Sequence, residues 1–255
     1  MITNADQILF RASSSGHLMT EARSKSEPLS ETTKTHLVDV FVSEMYKRHE
    51  EIFGKFLEKG NVREDDSITL FSRISKRMFV KNEMNLKNEF IKGTPDIFIG
   101  EAINKADEII DLKTSWSAHT FFRAKKSDMN KLYKWQLNCY MALSGASKAT
   151  LAYCLVNGTA KLIEDEKRKL SYQNLTEEKF IEYCKQIEIN HIFDLKHFIN
   201  ENPEFVFHNE LPLWKYDIPY QDRMFSISFE RNDDEIKALY NRITECRKWM
   251  NENLF

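Results

Sequence analysis

Asp96, Asp111 and Lys113 have the types and spacing to meet around a cation. Asp111 and Lys113 stand two apart in Glu108-Ile109-Ile110-Asp111-Leu112-Lys113. Read as a strand, this run puts both charged side chains on one face and Leu112 on the other. Asp96 opens a second apolar run, Asp96-Ile97-Phe98-Ile99, directly after Gly93-Thr94-Pro95. Pro95 cannot donate a ladder hydrogen bond, which suits the first edge of a strand. Two carboxylates brought close repel by several kcal/mol unless a cation lies between them. Magnesium suits such a site: it is hard, octahedral and held by a few carboxylates plus water. Lys113 would then stand beside the attacking water, to help deprotonate it or to steady charge developing on a phosphate. Taken alone, Asp-x-Lys on a strand is as readily a surface ion pair, so the surrounding elements must decide.

Those elements are readable from periodicity. Residues 1–20 predict a loop, Arg11-Ala12-Ser13-Ser14-Ser15-Gly16, opening a short helix; residues 21–34, polar with Pro28, predict a mobile surface segment. Apolar residues at helical spacing predict a helix over 36–58, a break at Gly60-Asn61, and a second helix over 64–75 with Ile68, Leu70 and Phe71 inward. The runs at 96–99 and 108–113 predict a β-hairpin, followed by a loop over 114–127, a helix over 129–144 and a strand over 149–156. Helices over 176–190 and 192–200, a strand over 224–229 and a helix over 232–252 complete the chain. The order β-β-α-β, bracketed by helices, predicts an α/β fold with a mixed sheet flanked by helices. The 255 residues are read as one domain: an N-terminal helical segment (1–58), a core (60–157), and C-terminal helices with one further strand (158–255).

Composition sets outer bounds. Net charge is −2, without the global basic bias common in nucleic-acid binders. Charge is segregated instead: basic residues gather in 76–87 and 123–134, acids in 64–66 and 164–166. That is compatible with a basic groove around an acidic metal pocket. Cys139, Cys154, Cys184 and Cys246 form no Cys-x-x-Cys pair, so they read as reduced thiols of a cytoplasmic protein, not a zinc or iron–sulfur motif. No signal-peptide pattern opens the chain, and no apolar run approaches the ~20 residues that span a bilayer.

The predicted helix after the second carboxylate carries Gln136-Leu137-Asn138-Cys139-Tyr140, with Gln136 and Tyr140 on one face. Gln136 could hold a water or a phosphate, or be a surface amide; Tyr140 could serve the site or the core. Here a resemblance becomes specific. Gly93-Thr94-Pro95-Asp96, Asp111-Leu112-Lys113 and the Gln-x-x-x-Tyr element together resemble the PD-(D/E)XK nuclease superfamily, with its restriction-endonuclease-like core. Lys59 to Asp66 resembles the metal-binding helix of the phage lambda exonuclease branch, which points to Glu64, and Arg11-Ala12-Ser13 resembles its DNA-contacting Ala-Ser element. The tail from Met224 to Leu254 also fits that branch, whereas residues 157–222 carry little of the resemblance.

The resemblance implies both a set of ligands and a reaction. By it, Asp96, Asp111 and the Leu112 carbonyl would ligate Mg²⁺ (or Mn²⁺), and Glu64 a second ion. Lys113 would activate the nucleophile and Gln136 orient it. The chain would be a DNA exonuclease acting on the ends of linear double-stranded DNA, in a bacterial or phage-infected cell. It would leave a 3′ single strand for an annealing protein, and a homotrimeric ring is the branch's assembly. Asp111 stands where the family often has Glu, and no Arg precedes Ser13 at the branch's usual distance, so Arg11 is the candidate for a 5′-phosphate. Related iron–sulfur nucleases need cysteines this chain lacks. The competing readings are a restriction- or repair-type endonuclease and a catalytically silent DNA-binding protein. Beyond the core motifs, Arg123, Lys125 and Lys126 beside Phe121 and Phe122 read equally as a DNA groove, with Tyr140 near it, or as a buried Phe pair beside a solvated charge run. Trp116 lines the substrate channel or anchors its loop. Ser13 to Ser15 with His17 could suggest nucleophilic catalysis, but nothing places a base near them and the serines read as an N-cap with loop serines; His49 and His119 read as surface residues.

Overall fold

The computed structural model describes residues 2–24, 26–49, 55–209 and 213–255. In chain order the elements are β1 (Phe10–Arg11), α1 (Ser15–Leu18), α2 (Glu31–Tyr46), α3 (Lys55–Val62), α4 (Glu64–Ser75), β2 (Leu86–Lys87), β3 (Ile91–Gly93), β4 (Ile97–Gly100), β5 (Ala106–Thr114), α5 (Ala118–Lys125), α6 (Lys131–Ser144), β6 (Lys148–Cys154), α7 (Ala160–Leu170), α8 (Glu177–His191), α9 (Leu195–Glu201), β7 (Met224–Glu230) and α10 (Asp233–Asn253).

The four-stranded sheet runs β4-β5-β6-β7, with β5 and β6 parallel and the outer pairs antiparallel. A parallel pair needs a crossover, and α5 with α6 supplies it. β5 is hydrogen-bonded on both sides and packed on both faces, which explains its long apolar run. On one face, Ile109 joins Leu137, Met141, Leu239 and Ile243 of α6 and α10. On the other, Ile110 and Leu112 pack on Ile68, Leu70 and Phe71 of α4. The mixed sheet flanked by helices thus stands as the sequence predicts.

A second, three-stranded sheet, β1-β3-β2, lies outside the sequence-based expectations. Its strands of two or three residues are too short to show period-two alternation. Four further expectations are corrected. The helix expected over 36–58 begins earlier, at Glu31, and α2 ends at Tyr46, where Lys47 takes a left-handed conformation (φ 55°); residues 50–54 of that expectation lie outside the described residues. Of the segment expected to be mobile over 21–34, residues 31–34 belong to α2 and the stretch before them is anchored by buried Leu29 and by a hydroxyl cluster of Thr20, Ser30 and Thr33 that caps the helix, while the described residues of 21–28 lie largely exposed at the surface. Gly60-Asn61 lies inside α3, and the boundary falls at Arg63. The loop expected over 114–127 contains α5, started by a capping box of Ser117 and Thr120. Eight residues with one fully buried anchor, Phe121, give too little periodicity to read. α7, capped by Thr159, is a helix the sequence-based reading does not place, although its buried Leu162 and Ile163 against a charged opposite face make it amphipathic.

Candidate active site

The hairpin register pairs Ile97 with Ile110, so the next step along both strands sets Asp96 beside Asp111. Asp96 is fixed from two sides. Its Oδ2 accepts the Leu112 backbone N–H at 2.6 Å. Asn82 brackets it, donating its backbone N–H to the Asp96 carbonyl at 2.7 Å and its side-chain amide to the Pro95 carbonyl at 2.9 Å. Asp111 is 1% exposed, and its Oδ1 accepts from Gln136 Nε2 at 3.0 Å. Its Oδ2 lies 2.7 Å from Lys113 Nζ, in ion-pair contact but outside hydrogen-bond geometry, so this buried oxygen receives no hydrogen bond. Gln136 also donates to the Tyr140 hydroxyl at 3.0 Å and accepts from Lys113 at 3.3 Å. It is a buried hub, not a helix-surface amide. Tyr140 is both readings at once: its ring sits in the core and its hydroxyl holds Gln136.

Electrostatics follow from this packing. Burial, then the charge of Asp111, pushes the Asp96 carboxyl up to about 8. Burial also raises Asp111, against the pull of Lys113. For Lys113, burial alone would lower the pKa, but the Asp111 carboxylate holds it above the ordinary lysine value. The three groups therefore keep one carboxylate charge against one ammonium, and the second carboxyl keeps its proton near neutral pH. Two clustered carboxylates, one with an oxygen met only by the Lys113 ammonium and by no hydrogen bond, form a hard oxygen donor set that fits a divalent cation.

These side chains line a cleft of about 570 Å³ together with Ser13, Glu64, Leu112, Trp116 and Tyr133. Glu64 opens α4, and its carboxylate is engaged by Lys81 Nζ at 2.9 Å. Trp116 lines the cleft, and its ring packs edge-on against His191 at 5.0 Å. Ser13 reaches the cleft, whereas Arg11, exposed at the end of β1, is not among its lining residues. Arg123 and Lys126 line a smaller, separate cleft, and Lys125 is exposed beside them. The expected buried Phe pair is half right: Phe121 is fully buried and Phe122 is 42% exposed.

Three contributors escape a reading of the sequence. Tyr133 places its ring 4.8 Å from Lys113 Nζ; its spacing of three from Gln136 on α6 is the available signal. Lys59, 1% exposed, donates to the carbonyls of Ser115 (3.0 Å) and Trp116 (3.0 Å), pinning the chain that leaves β5. No spacing rule reveals a lysine bound to carbonyls. Gly93 lets Ala12 and Tyr140 close in: a Cβ there would lie 2.8 Å from the Ala12 Cβ and 2.7 Å from the Tyr140 ring. Among the described residues, Asp66, His197 and Glu201 also cluster closely enough to hold a metal. The Arg63 guanidinium already bridges the two acids, at 2.7 Å and 3.1 Å, so this cluster carries its own cation.

No family model and no curated protein matches the sequence. Solved structures do match its fold. A phage-related exonuclease from Haemophilus somnus 129PT superposes with a TM-score of 0.68 at 20% identity, covering 96% of this chain and 95% of that one. An alkaline exonuclease from Laribacter hongkongensis, LHK-Exo, superposes with a TM-score of 0.59 at 12% identity, covering 98% of this chain and 93% of that one. The same enzyme in complex with dAMP gives 0.59 at 13% identity. The chain has the fold of these exonucleases from end to end, in agreement with the resemblance read from its motifs.

Proposed function

We propose that this protein is a metal-dependent DNA nuclease, and within that class an exonuclease that degrades linear double-stranded DNA from its ends. The observation that carries the proposal is the Asp96–Asp111 pair. One member is 1% exposed with a carboxylate oxygen that receives no hydrogen bond, and the other is pushed up to about 8. Lys113 supplies one positive charge against two buried carboxyls, so a divalent cation is what would let both ionise together. The end-to-end fold shared with two exonucleases supports the choice of reaction.

In this reading Asp96, Asp111 and the Leu112 carbonyl hold Mg²⁺ or Mn²⁺, and Glu64, once released from Lys81, a second ion. Bound there, divalent cations supply Lewis-acid polarisation of a phosphodiester and of the water that attacks it. The chain's own groups do the rest. Lys113 would stand beside the reacting phosphate: as the ammonium that Asp111 favours it screens the charge developing on the phosphate oxygens, and it takes up the proton of the attacking water only after a bound cation has neutralised the Asp111 charge that holds its own. Gln136, held by Tyr140 and Asp111, orients that water. Ser13 and Arg11 contact the backbone of the DNA end, with Trp116 along the channel. A single-strand annealing protein as partner and a homotrimeric ring remain part of the proposal by resemblance.

The test uses end-labelled linear duplex, with and without a 5′-phosphate, beside closed circular DNA, in Mg²⁺ and in chelator. Linear DNA is expected to be consumed only with metal, while circles survive. Asp111→Ala and Lys113→Ala are each expected to abolish cleavage with the fold retained. Cutting of closed circles would move the assignment to an endonuclease, and no cleavage of any form would leave a DNA-binding protein.

A further inference from the structure

α5 is shared by two clefts. Thr120 and Ala124 line the large one. Ala118, His119, Phe122, Arg123 and Lys126 line the second, of about 290 Å³, on the helix's outer side. The helix cannot roll between them. Phe121 is fully buried and packs edge-on against Phe225 at 5.2 Å. With Phe121 inward, Phe122 is held out, 42% exposed, and its ring is braced against Phe121 at 5.2 Å and 85°. An exposed aromatic fixed in orientation by a buried one is a stacking platform.

The charge around it is uncompensated. The sequence contains no acidic residue from Leu112 to Ser127. Arg123 and Lys126 are exposed, and neither lies within ion-pair distance of a carboxylate among the described residues. By contrast, Arg168 and Lys169 at the end of α7 are paired with Asp165 and Glu166. Cations at a helix C-terminus gain a little from the helix dipole. That does not account for an aromatic ring held out among them.

We propose that the outer face of α5 binds single-stranded DNA, with one base stacked on Phe122 and the flanking phosphates paired with Arg123 and Lys126. An internal base of a duplex has both faces covered by its neighbours, so a strand that runs past Phe122 with a base stacked on it must be single-stranded, and a blunt duplex can offer only its terminal pair. Binding is sequence-tolerant, since every base offers a π-face. If the nuclease reading is right, this face receives the strand left uncut as its complement is removed in the adjoining cleft. That role rests on the nuclease reading, whereas the single-strand site itself does not.

The experiment is fluorescence anisotropy in chelator, where nothing is cut, with a labelled oligo-dT and a blunt duplex of equal length. The proteins are wild type, Phe122→Ala, Phe122→Trp and the double variant Arg123→Ala/Lys126→Ala. Loss of one stacked base is expected to weaken oligo-dT binding at least fivefold in Phe122→Ala, with duplex binding changed less than twofold and Phe122→Trp retained. The double variant is expected to flatten the salt dependence of single-strand binding by more than one logarithmic unit per unit of log salt. Equal single-strand binding by wild type, Phe122→Ala and Phe122→Trp overturns the proposal, as does equal loss for both ligands. A wild type that never cleaves in Mg²⁺ but loses single-strand binding with Phe122→Ala would sink the nuclease reading and leave this one standing.

Discussion

Replacing Asp96 with Asn tests the reasoning about the carboxylate pair without any DNA. In the metal-free protein the Asp96 carboxyl keeps its proton up to about pH 8, against 3.8 for an ordinary aspartate. From pH 4 to 8 the folded state therefore binds more protons than the unfolded state. Its stability must fall as pH rises across that window and level off above it. Each pH unit carries at most ~1.4 kcal/mol, so the ceiling over the window is about 6 kcal/mol. Asn mimics the protonated acid: its side-chain oxygen still accepts the Leu112 N–H and it brings no charge beside Asp111. In chelator Asp96→Asn is expected to equal wild type near pH 4 and to become steadily more stable than it towards pH 8. A gap of only ~2 kcal/mol would already separate the melting temperatures by about 4–8 °C. Mg²⁺ at a hundredfold excess over Kd adds about 2.7 kcal/mol to wild type and little to the variant, which reverses the order wherever the gap in chelator is smaller than that and narrows it elsewhere. Scanning calorimetry from pH 5 to 9, with Mg²⁺ and with chelator, reads both effects. A gap that does not grow with pH in chelator refutes the electrostatic account, and equal stabilisation by Mg²⁺ refutes Asp96 as a ligand.

Two further substitutions probe the scaffold of the site. Gly93→Ala puts a Cβ 2.7 Å from the Tyr140 ring and 2.8 Å from Ala12; it is expected to lower stability by about 1–3 kcal/mol in urea unfolding and to lower kcat by displacing the Tyr140–Gln136 pair. Lys59 is held down to about 7 by burial first and by the Arg63 charge second, so wild type gains stability as pH rises from 7 towards 10, where the unfolded lysine still carries its proton. Lys59→Met, which lacks the proton and both carbonyl contacts, is expected to show no such rise, and its deficit against wild type in urea unfolding to be larger at pH 9 than at pH 6.5. A deficit that stays constant with pH would show that Lys59 acts through its contacts alone.

The sheet and the carboxylate pair are legible in the sequence because local patterns encode them. β5 combines an apolar run with charged residues at period two, and α6 spaces Gln136 and Tyr140 by one turn. What escapes depends on contacts between distant segments or on elements too short to be periodic. β1 pairs with β3 across some 80 residues of chain, and β2 adds only two residues to the same sheet. Lys59 meets carbonyls more than 50 positions away, and Glu64 meets Lys81 across the turn that follows α4. Gly93 reads as a turn residue, but its reason lies in the ring and methyl group that approach it. The environment of the cleft, unlike its ligands, is a property of packing.

β5, like β6 beside it, is hydrogen-bonded on both sides, so Asp111 and Lys113 sit in one of the two interior strands of the sheet, where amides are expected to be well shielded from solvent exchange. No partial opening of the molecule can disarm these two residues without melting the central sheet. α5, eight residues long and pinned by one phenylalanine, can fray on its own. On the proposed reading, the part that would have to stay intact for chemistry and the helix that would hold and release a strand meet at Trp116.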